Sequence, residues 1–291
     1  MSATTPPTLL WRMTPHAYAW RPADGRTAED GIPGILLRGI ADAVHGGYDG
    51  LEASLSWVGG SPQAAAAARR SLEGWELGLD CLFVQVSTGI PDEALGLLVE
   101  QAVQAVPLGY RFLNVVTVPP AAERRRYPAG YDGAPVAIAR VLVELARRLE
   151  PHGLAVCWHP HETALQGGAR LAEETVERSL GAPVRLCLDL GCVVRAGEDP
   201  VDLLRRFGPV VRTLHVRDVA PDGRWCESVG EGVLDLPAVA KALSDLPALG
   251  ACAVEMKYDR DTRVTRTLRE NARLSAEVLR GIDGWPTGGT R

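Results

Sequence analysis

VRLCLDLG (residues 184–191), DPVDLLRRFG (199–208) and VRTLHVRDV (211–219) decide the fold. The outer two are short apolar runs. The middle stretch mixes apolar and charged residues and reads as a helix. A strand, a helix and a second strand of the same buried type predict a β-α-β unit with parallel strands. Each apolar run also carries a polar intrusion near its end, Asp189 in the first and His215 in the second. In a barrel of such units, chemistry collects at the C-terminal ends of the strands.

The same alternation extends in both directions. Downstream, the helix DLPAVAKALSDLP (235–247) precedes the strand ACAVEMKY (251–258), and TRVTRTLRENARLSAEVLRG (262–281) closes the chain. Upstream, LAVCWHP (154–160) is strand five, followed by the helix GARLAEETVERSLG (168–181). YRFLNVVTVP (110–119) is strand four, and APVAIARVLVELARRLEPHG (134–153) is its helix, with Gly153 as the C-terminal cap. CLFVQVSTG (81–89) is strand three, and PDEALGLLVEQAVQAVP (91–107) repeats apolar residues three and four apart. YDGLEASLSW (48–57) is strand two, with its helix over 61–78 opened by the Ser61-Pro62 pair. LLWRMTPHAYAW (9–20) is strand one, with a helix from about Gly34 to His45.

Eight strand–helix units predict a single-domain (β/α)8 TIM barrel over residues 1–291, with loose tails at 1–7 and 285–291. An open doubly wound sheet is the alternative, disfavoured because no GxGxxG follows strand one.

Composition narrows the function. The chain has 291 residues, 46% of them hydrophobic, and a formal net charge of -5. Such a charge offers no general field for nucleic acid. No apolar run is long enough for a membrane span, and the N-terminal sequence lacks the pattern of a signal peptide. Six cysteines are scattered without a CxxC pair, so a reduced, cytoplasmic setting is expected. No membrane or nucleic-acid partner is expected, and a homo-oligomer is left open.

Four strand ends carry the candidate chemistry: His159, Asp189, His215 and Glu255. Two imidazoles and two carboxylates converging on one axis form a site for a divalent cation. Each has a structural alternative: Asp189 as a helix cap or salt-bridge partner, His215 and Glu255 as satisfied core groups. Three such intrusions on successive strands weigh against coincidence. On strand five, His159 and His161 share a side of the strand, so either could be the ligand, and Glu162 is a third option. The mixed N/O set suits Mn, Fe, Co, Ni or Zn better than Ca.

Other residues carry two readings of the same kind. Glu52, at the end of strand two, could bind substrate hydroxyls or form a salt bridge inside the barrel mouth. Arg217 lies on the same side as His215 and could hold a substrate oxygen or pair with Asp189 or Glu255. Trp11, His16, Tyr18 and Trp20 crowd the first strand and its loop, as a wall for a sugar ring or as a hydrophobic plug. ERRRYPAGYDG (123–133) reads as a basic loop that could cover the site. Trp225 is expected at the pocket rim.

At these residues the chain resembles the sugar phosphate isomerase/epimerase superfamily, the xylose isomerase-like barrels. The matching motifs are GYDGLEASL, LDLGCVVRAGEDP, LHVRDV and GEGVLDLPAV, from about Gly46 to Tyr258. The resemblance implies one divalent cation (Mn, Mg, Co, Zn or Fe), held by His159 in place of a strand-five Glu, with Asp189, His215 and Glu255. It also implies proton transfer next to a carbonyl through an enediolate, on a small polyhydroxylated or keto substrate. Glu255 would be a catalytic group with His159 or His161 as its partner, and Glu52, Arg217, His16 and Trp225 would bind substrate. Two departures stand out. Trp-His-Pro-His at strand five is similar to the inosose dehydratase branch, and Cys192 replaces a histidine three residues after the Asp. The expected activity is therefore an isomerase or epimerase of a sugar or cyclitol. The alternative is an inosose- or dehydroshikimate-dehydratase-like lyase. An abasic-site endonuclease-like hydrolase and an inactive binding barrel rank lower.

Overall fold

The computed structural model describes residues 7–12, 34–120, 134–246, 248–258 and 264–285. Its eight described strands are β1 (Thr8–Arg12), β2 (Gly50–Ser54), β3 (Gly78–Ser87), β4 (Phe112–Val118), β5 (Ala155–Trp158), β6 (Val184–Asp189), β7 (Val211–Val216) and β8 (Ala251–Glu255). All neighbours are parallel, and β8 pairs with β1, closing the barrel. The predicted TIM barrel is therefore the fold. Six strands, β1, β2, β5, β6, β7 and β8, are buried at all but at most one position, as expected where helices cover a sheet whose inner face is filled.

The described helices are α1 (Gly34–Gly46), α2 (Leu55–Val58), α3 (Pro62–Glu73), α4 (Asp92–Ala105), α5 (Ala134–Leu149), α6 (Glu162–Leu165), α7 (Arg170–Arg178), α8 (Leu190–Arg195), α9 (Pro200–Phe207), α10 (Leu236–Leu243) and α11 (Leu268–Arg280). Local sequence explains their starts. Ser61 accepts from the Ala64 N–H ahead of Pro62, Asp199 caps the turn beginning at Pro200, and Asp235 accepts from Ala238. Thr267 accepts from the Glu270 N–H, in a Thr-x-x-Glu sequence. After α5 a 3-10 turn over Glu150–His152 ends at Gly153, whose φ of 76° is the left-handed cap expected of glycine. None of the described helices is long and apolar enough to cross a membrane.

Several boundaries differ from the sequence reading. Strand two does not run to Trp57: after Ser54 the chain coils into α2, burying Leu55 and Val58 one turn apart. The second helix stops at Glu73 rather than 78, and β3 begins at Gly78 rather than Cys81. The reason is the contact between β2 and β3, where a Cβ on Gly50 would lie 2.5 Å from the Gly78 carbonyl oxygen. The close strand approach claims Gly78 for the sheet. The helix expected at 168–181 is α7, Arg170–Arg178, and a further short helix, α6, precedes it, with Ala169 between them at φ 60°. Strand eight ends at Glu255, and the last helix starts after Thr267. The second half of predicted strand one, with His16, Tyr18 and Trp20, lies outside the described residues, as does the loop at 123–133.

Candidate metal centre at the barrel mouth

Barrel closure brings the strand ends together. In the β6–β7 register Asp189 lies opposite His215, and in the β1 registers Arg12 lies opposite both Glu52 and Glu255. His159 follows β5 directly, and its N–H is fixed to the Val115 carbonyl at 2.8 Å. One ligand atom each from His159, Asp189, His215 and Glu255 falls within 4.8 Å of the others. All four residues are buried. His159 Nε2 is 3.5 Å from Asp189 Oδ2, and His215 Nδ1 is 3.1 Å from Glu255 Oε2.

His161 is placed differently. It caps α6, its side chain is 41% exposed, and its ring centroid lies 5.2 Å from that of His159. Glu162 faces His161 and Arg195, at 3.8 and 3.7 Å. Neither His161 nor Glu162 belongs to the four-residue cluster.

A chain of buried polar contacts supports His215. Thr213 Oγ1 donates to Asn114 Oδ1, and Asn114 Nδ2 donates to Glu52 Oε2, both at 2.7 Å. Glu52 Oε2 lies 3.0 Å from His215 Nε2. A carboxylate behind a histidine fixes which ring nitrogen carries the proton and which is left for a ligand. Glu52 is fully buried and pairs with Arg12. Thus the Glu52 carboxylate forms the salt bridge inside the mouth that the sequence offered as one of two readings. Burial pushes its pKa up, but Arg12 and His215 outweigh this and hold it at about 2. Burial likewise disfavours ionised Asp189 and Glu255. Arg217 with His159 outweighs it for Asp189, and Arg12 with Arg217 outweighs it for Glu255, so both lie below the usual carboxylate range. Burial also lowers the pKa of His159, keeping that ring neutral near pH 7. For His215, burial is overcome by Cys187 and Glu52, and the pKa lies well above the usual histidine value.

Arg217 Nη2 approaches Asp189 Oδ2 at 2.6 Å, and Nη1 is 3.6 Å from Glu255 Oε1. Trp225 is not at the rim, as expected from sequence, but buried, with the Arg217 guanidinium 3.9 Å from its ring centroid. The residue that permits this is Gly191 of the LDLG motif. A Cβ there would lie 2.6 Å from the Trp225 ring and 2.8 Å from Arg217 Cγ. Cys192 is buried too: its N–H caps onto Asp189 Oδ1 at 2.8 Å, and its sulfur accepts from Arg217 Nη2 at 3.0 Å. Asp189 therefore caps α8 with Oδ1 and turns Oδ2 toward Arg217 and His159.

The sequence reading passed over Arg12, Asn114, Asp218 and Glu227. Arg12 lies 3.9 Å over the Phe83 ring, and its Nε is 3.1 Å from Glu255 Oε2. The Asp218 carboxylate accepts backbone N–H groups from Val219, Gly230, Gly232 and Leu234, binding the loop after β7 into one unit. Glu227 accepts from Thr265, Arg266 and Asn271 and joins that loop to the segment after β8. The only sequence signal for either was the Gly-Glu-Gly spacing that Asp218 gathers up.

The cluster was tested against a cation by its hydrogen bonding. His159 Nδ1, Asp189 Oδ2, His215 Nδ1 and Glu255 Oε2 are buried and lack a hydrogen-bond partner. Arg217 and Arg12 partly compensate the two carboxylate oxygens as ion pairs, at 2.6 and 3.1 Å. Unmet buried acceptors are costly. A divalent cation satisfies such oxygens and imidazole nitrogens together, so the donor set fits one.

Comparison with known proteins agrees with the architecture. A sugar phosphate isomerase/epimerase from Parabacteroides distasonis superposes with a TM-score of 0.69 at 16% identity, covering 98% of this chain and 97% of that one. The 3-keto-D-glucoside 4-epimerase from E. coli gives 0.66 at 14% identity, covering 94% and 98%. The probable 3-DHS dehydratase of Bacillus anthracis gives 0.67 at 11% identity, covering 94% and 99%. At these identities the likeness concerns the fold. A search of the curated proteins finds no match. The family model of the xylose isomerase-like TIM barrel matches residues 40–282, and the chain belongs to that family.

Proposed function

We propose that the protein is a divalent-cation-dependent isomerase or epimerase of a small polyhydroxylated carbonyl compound. The observation that carries this reading is the buried set His159, Asp189, His215 and Glu255, with an unmet polar atom on each residue. The epimerases among the structural neighbours support the reaction class. When bound, the cation would supply Lewis acidity toward vicinal oxygens of the substrate. The chain's own residues do the rest. Glu255 receives the proton next to the carbonyl, and neutral His159 or His161 serves the opposite face. Burial, followed by its charged neighbours His159, Arg217 and Lys257, holds the His161 pKa at about 3, so it too is neutral at pH 7. Glu255 is a weak base while Arg12 and Arg217 face it, so the role requires substrate to draw a guanidinium away. A dehydratase is the second reading, favoured by an imidazole instead of a carboxylate at position 159, since one carboxylate and one imidazole also suit elimination of water.

The test of the centre is metal content. Replacing His215 by Ala should strip most of the divalent cation from purified protein while the far-UV circular dichroism stays that of the parent. Stoichiometric metal in that variant would overturn the assignment.

A further inference from the structure

The unmet buried acceptors of the mouth point to a cation; the unmet buried donors point to a second ligand of opposite sign. Arg217 Nε and Trp225 Nε1 are buried without a hydrogen bond among the described residues, while Arg12 Nε and Arg217 Nη1 also make none but lie 3.1 and 3.6 Å from the Glu255 carboxylate. Arg12 and Arg217 are 6% and 3% exposed and belong to different strand ends, so this is a built feature of the mouth and not a surface patch. The Trp225 ring packs on the Arg217 guanidinium and fixes its plane. The buried charges do not cancel once a cation is present. Three carboxylates, Glu52, Asp189 and Glu255, face two guanidiniums and two imidazoles. A divalent cation on neutral imidazoles leaves one net positive charge among these buried groups. Excess buried charge is expensive unless paired.

We propose that the substrate is itself a monoanion, a polyhydroxylated keto or hydroxy acid, whose carboxylate is bound by Arg217 with Arg12 completing the positive side of the site. A guanidinium fork is the group best matched to a carboxylate. A neutral sugar would leave both the net charge and the Arg217 Nε and Nη1 donors uncompensated. This inference rests on the proposed function above for its location and for the cation in its charge count; the buried Arg217 donors stand apart from that reading.

The experiment compares paired probes on the full chain loaded with manganese: a 5-keto hexuronate against the matched neutral ketohexose, and glycerate against glycerol. Binding is read by calorimetry and by thermal stabilisation, not by turnover. The acid of each pair should bind more tightly by about 10- to 100-fold, the range for hydrogen bonds to a charged group. Arg217→Met should abolish that preference, so that the acid and the neutral partner of each pair bind alike. Arg217→Lys, which keeps the charge and gives up the fork, should retain part of it and covers the case in which the first variant does not fold. Acids binding no better than their neutral partners would overturn the proposal. If a neutral ketose binds and exchanges hydrogen with solvent, the isomerase reading stands and the anionic substrate falls. If the protein takes up no cation yet prefers acids through Arg217, the converse holds.

Discussion

Glu52 Oε2 stands 3.0 Å from His215 Nε2, while Nδ1 of the same ring faces Glu255 Oε2 at 3.1 Å. The ring is thus held between two carboxylates, one from β2 and one from β8. Without a cation, this arrangement favours the imidazolium and accounts for part of the raised pKa. Were His215 to hold a cation, a neutral ring would donate its Nε2 proton to Glu52. Glu52 would then act through His215 and not on the substrate. Glu52→Gln keeps the volume and removes the charge that selects the tautomer. It should weaken divalent-cation affinity by about 10- to 100-fold, the usual cost of losing such a supporting carboxylate. Competition with a chelator measures this, and an unchanged affinity would remove Glu52 from the metal's support.

Strand five offers a second discrimination. His159 lies within the ligand cluster and His161 outside it, with 41% of its side chain exposed. His159→Ala should therefore release the cation, whereas His161→Ala should keep it. An anomalous-scattering map placing the ion nearer His161 or Glu162 than His159 would reverse the assignment.

Acid should destabilise the fold through the mouth. The Glu52 pKa falls from an ordinary 4.5 to about 2 because the Arg12 and His215 contributions exceed the opposing effect of burial. A carboxyl depressed on folding stabilises the native state above its unfolded pKa, and that contribution disappears as pH falls through the folded one. The window is therefore from about pH 4.5 down to about 2, and the contribution at neutral pH is on the order of 3 kcal/mol. His161 adds a smaller effect in the same direction, since its pKa is lowered while water screens a side chain that is 41% exposed. Urea unfolding at pH 7 and pH 3.5 should show this loss, and Glu52→Gln should flatten its lower part. A variant with the same loss between those pH values would show that Glu52 carries none of it.

The fold was legible because the strands are apolar runs separated by helical periodicity, and a polar residue ending such a run is conspicuous. Asp189, His215 and Glu255 were visible on that ground alone. Arg12 was not, because strand one was read as running on to Trp20, which left Arg12 inside the strand and not at the mouth beside Glu255. Asn114 was hidden as an uncharged amide inside FLNVVTV. Its partners Glu52 and Thr213 lie on β2 and β7, strands that do not neighbour β4, so only the closed barrel brings them together. Trp225 was misplaced for a related reason: an aromatic in a polar loop suggests a rim, and only the missing Cβ of Gly191 shows where the ring can sink. The end of strand two misled because LSWV is as apolar as a strand, and α2 buries it at helical spacing instead.

Glu255 is where the proposed chemistry is most exposed to test, since it is both a cluster member and the proposed base. Burial pushes its carboxyl pKa up, and Arg12, Arg217 and His215 more than reverse that. A carboxylate so stabilised is ready to hold a cation but slow to accept a proton, unless an anionic or oxygen-rich substrate draws a guanidinium away. Glu255→Gln preserves the shape and one oxygen while abolishing basicity. The variant should keep part of its metal and lose exchange of substrate hydrogen with deuterated water by about 10²- to 10⁴-fold, the typical contribution of a general base. Normal metal content with exchange at the parent rate would leave Glu255 as a ligand only. The base would then be His159 or His161, both of which are neutral near pH 7 and border the same mouth.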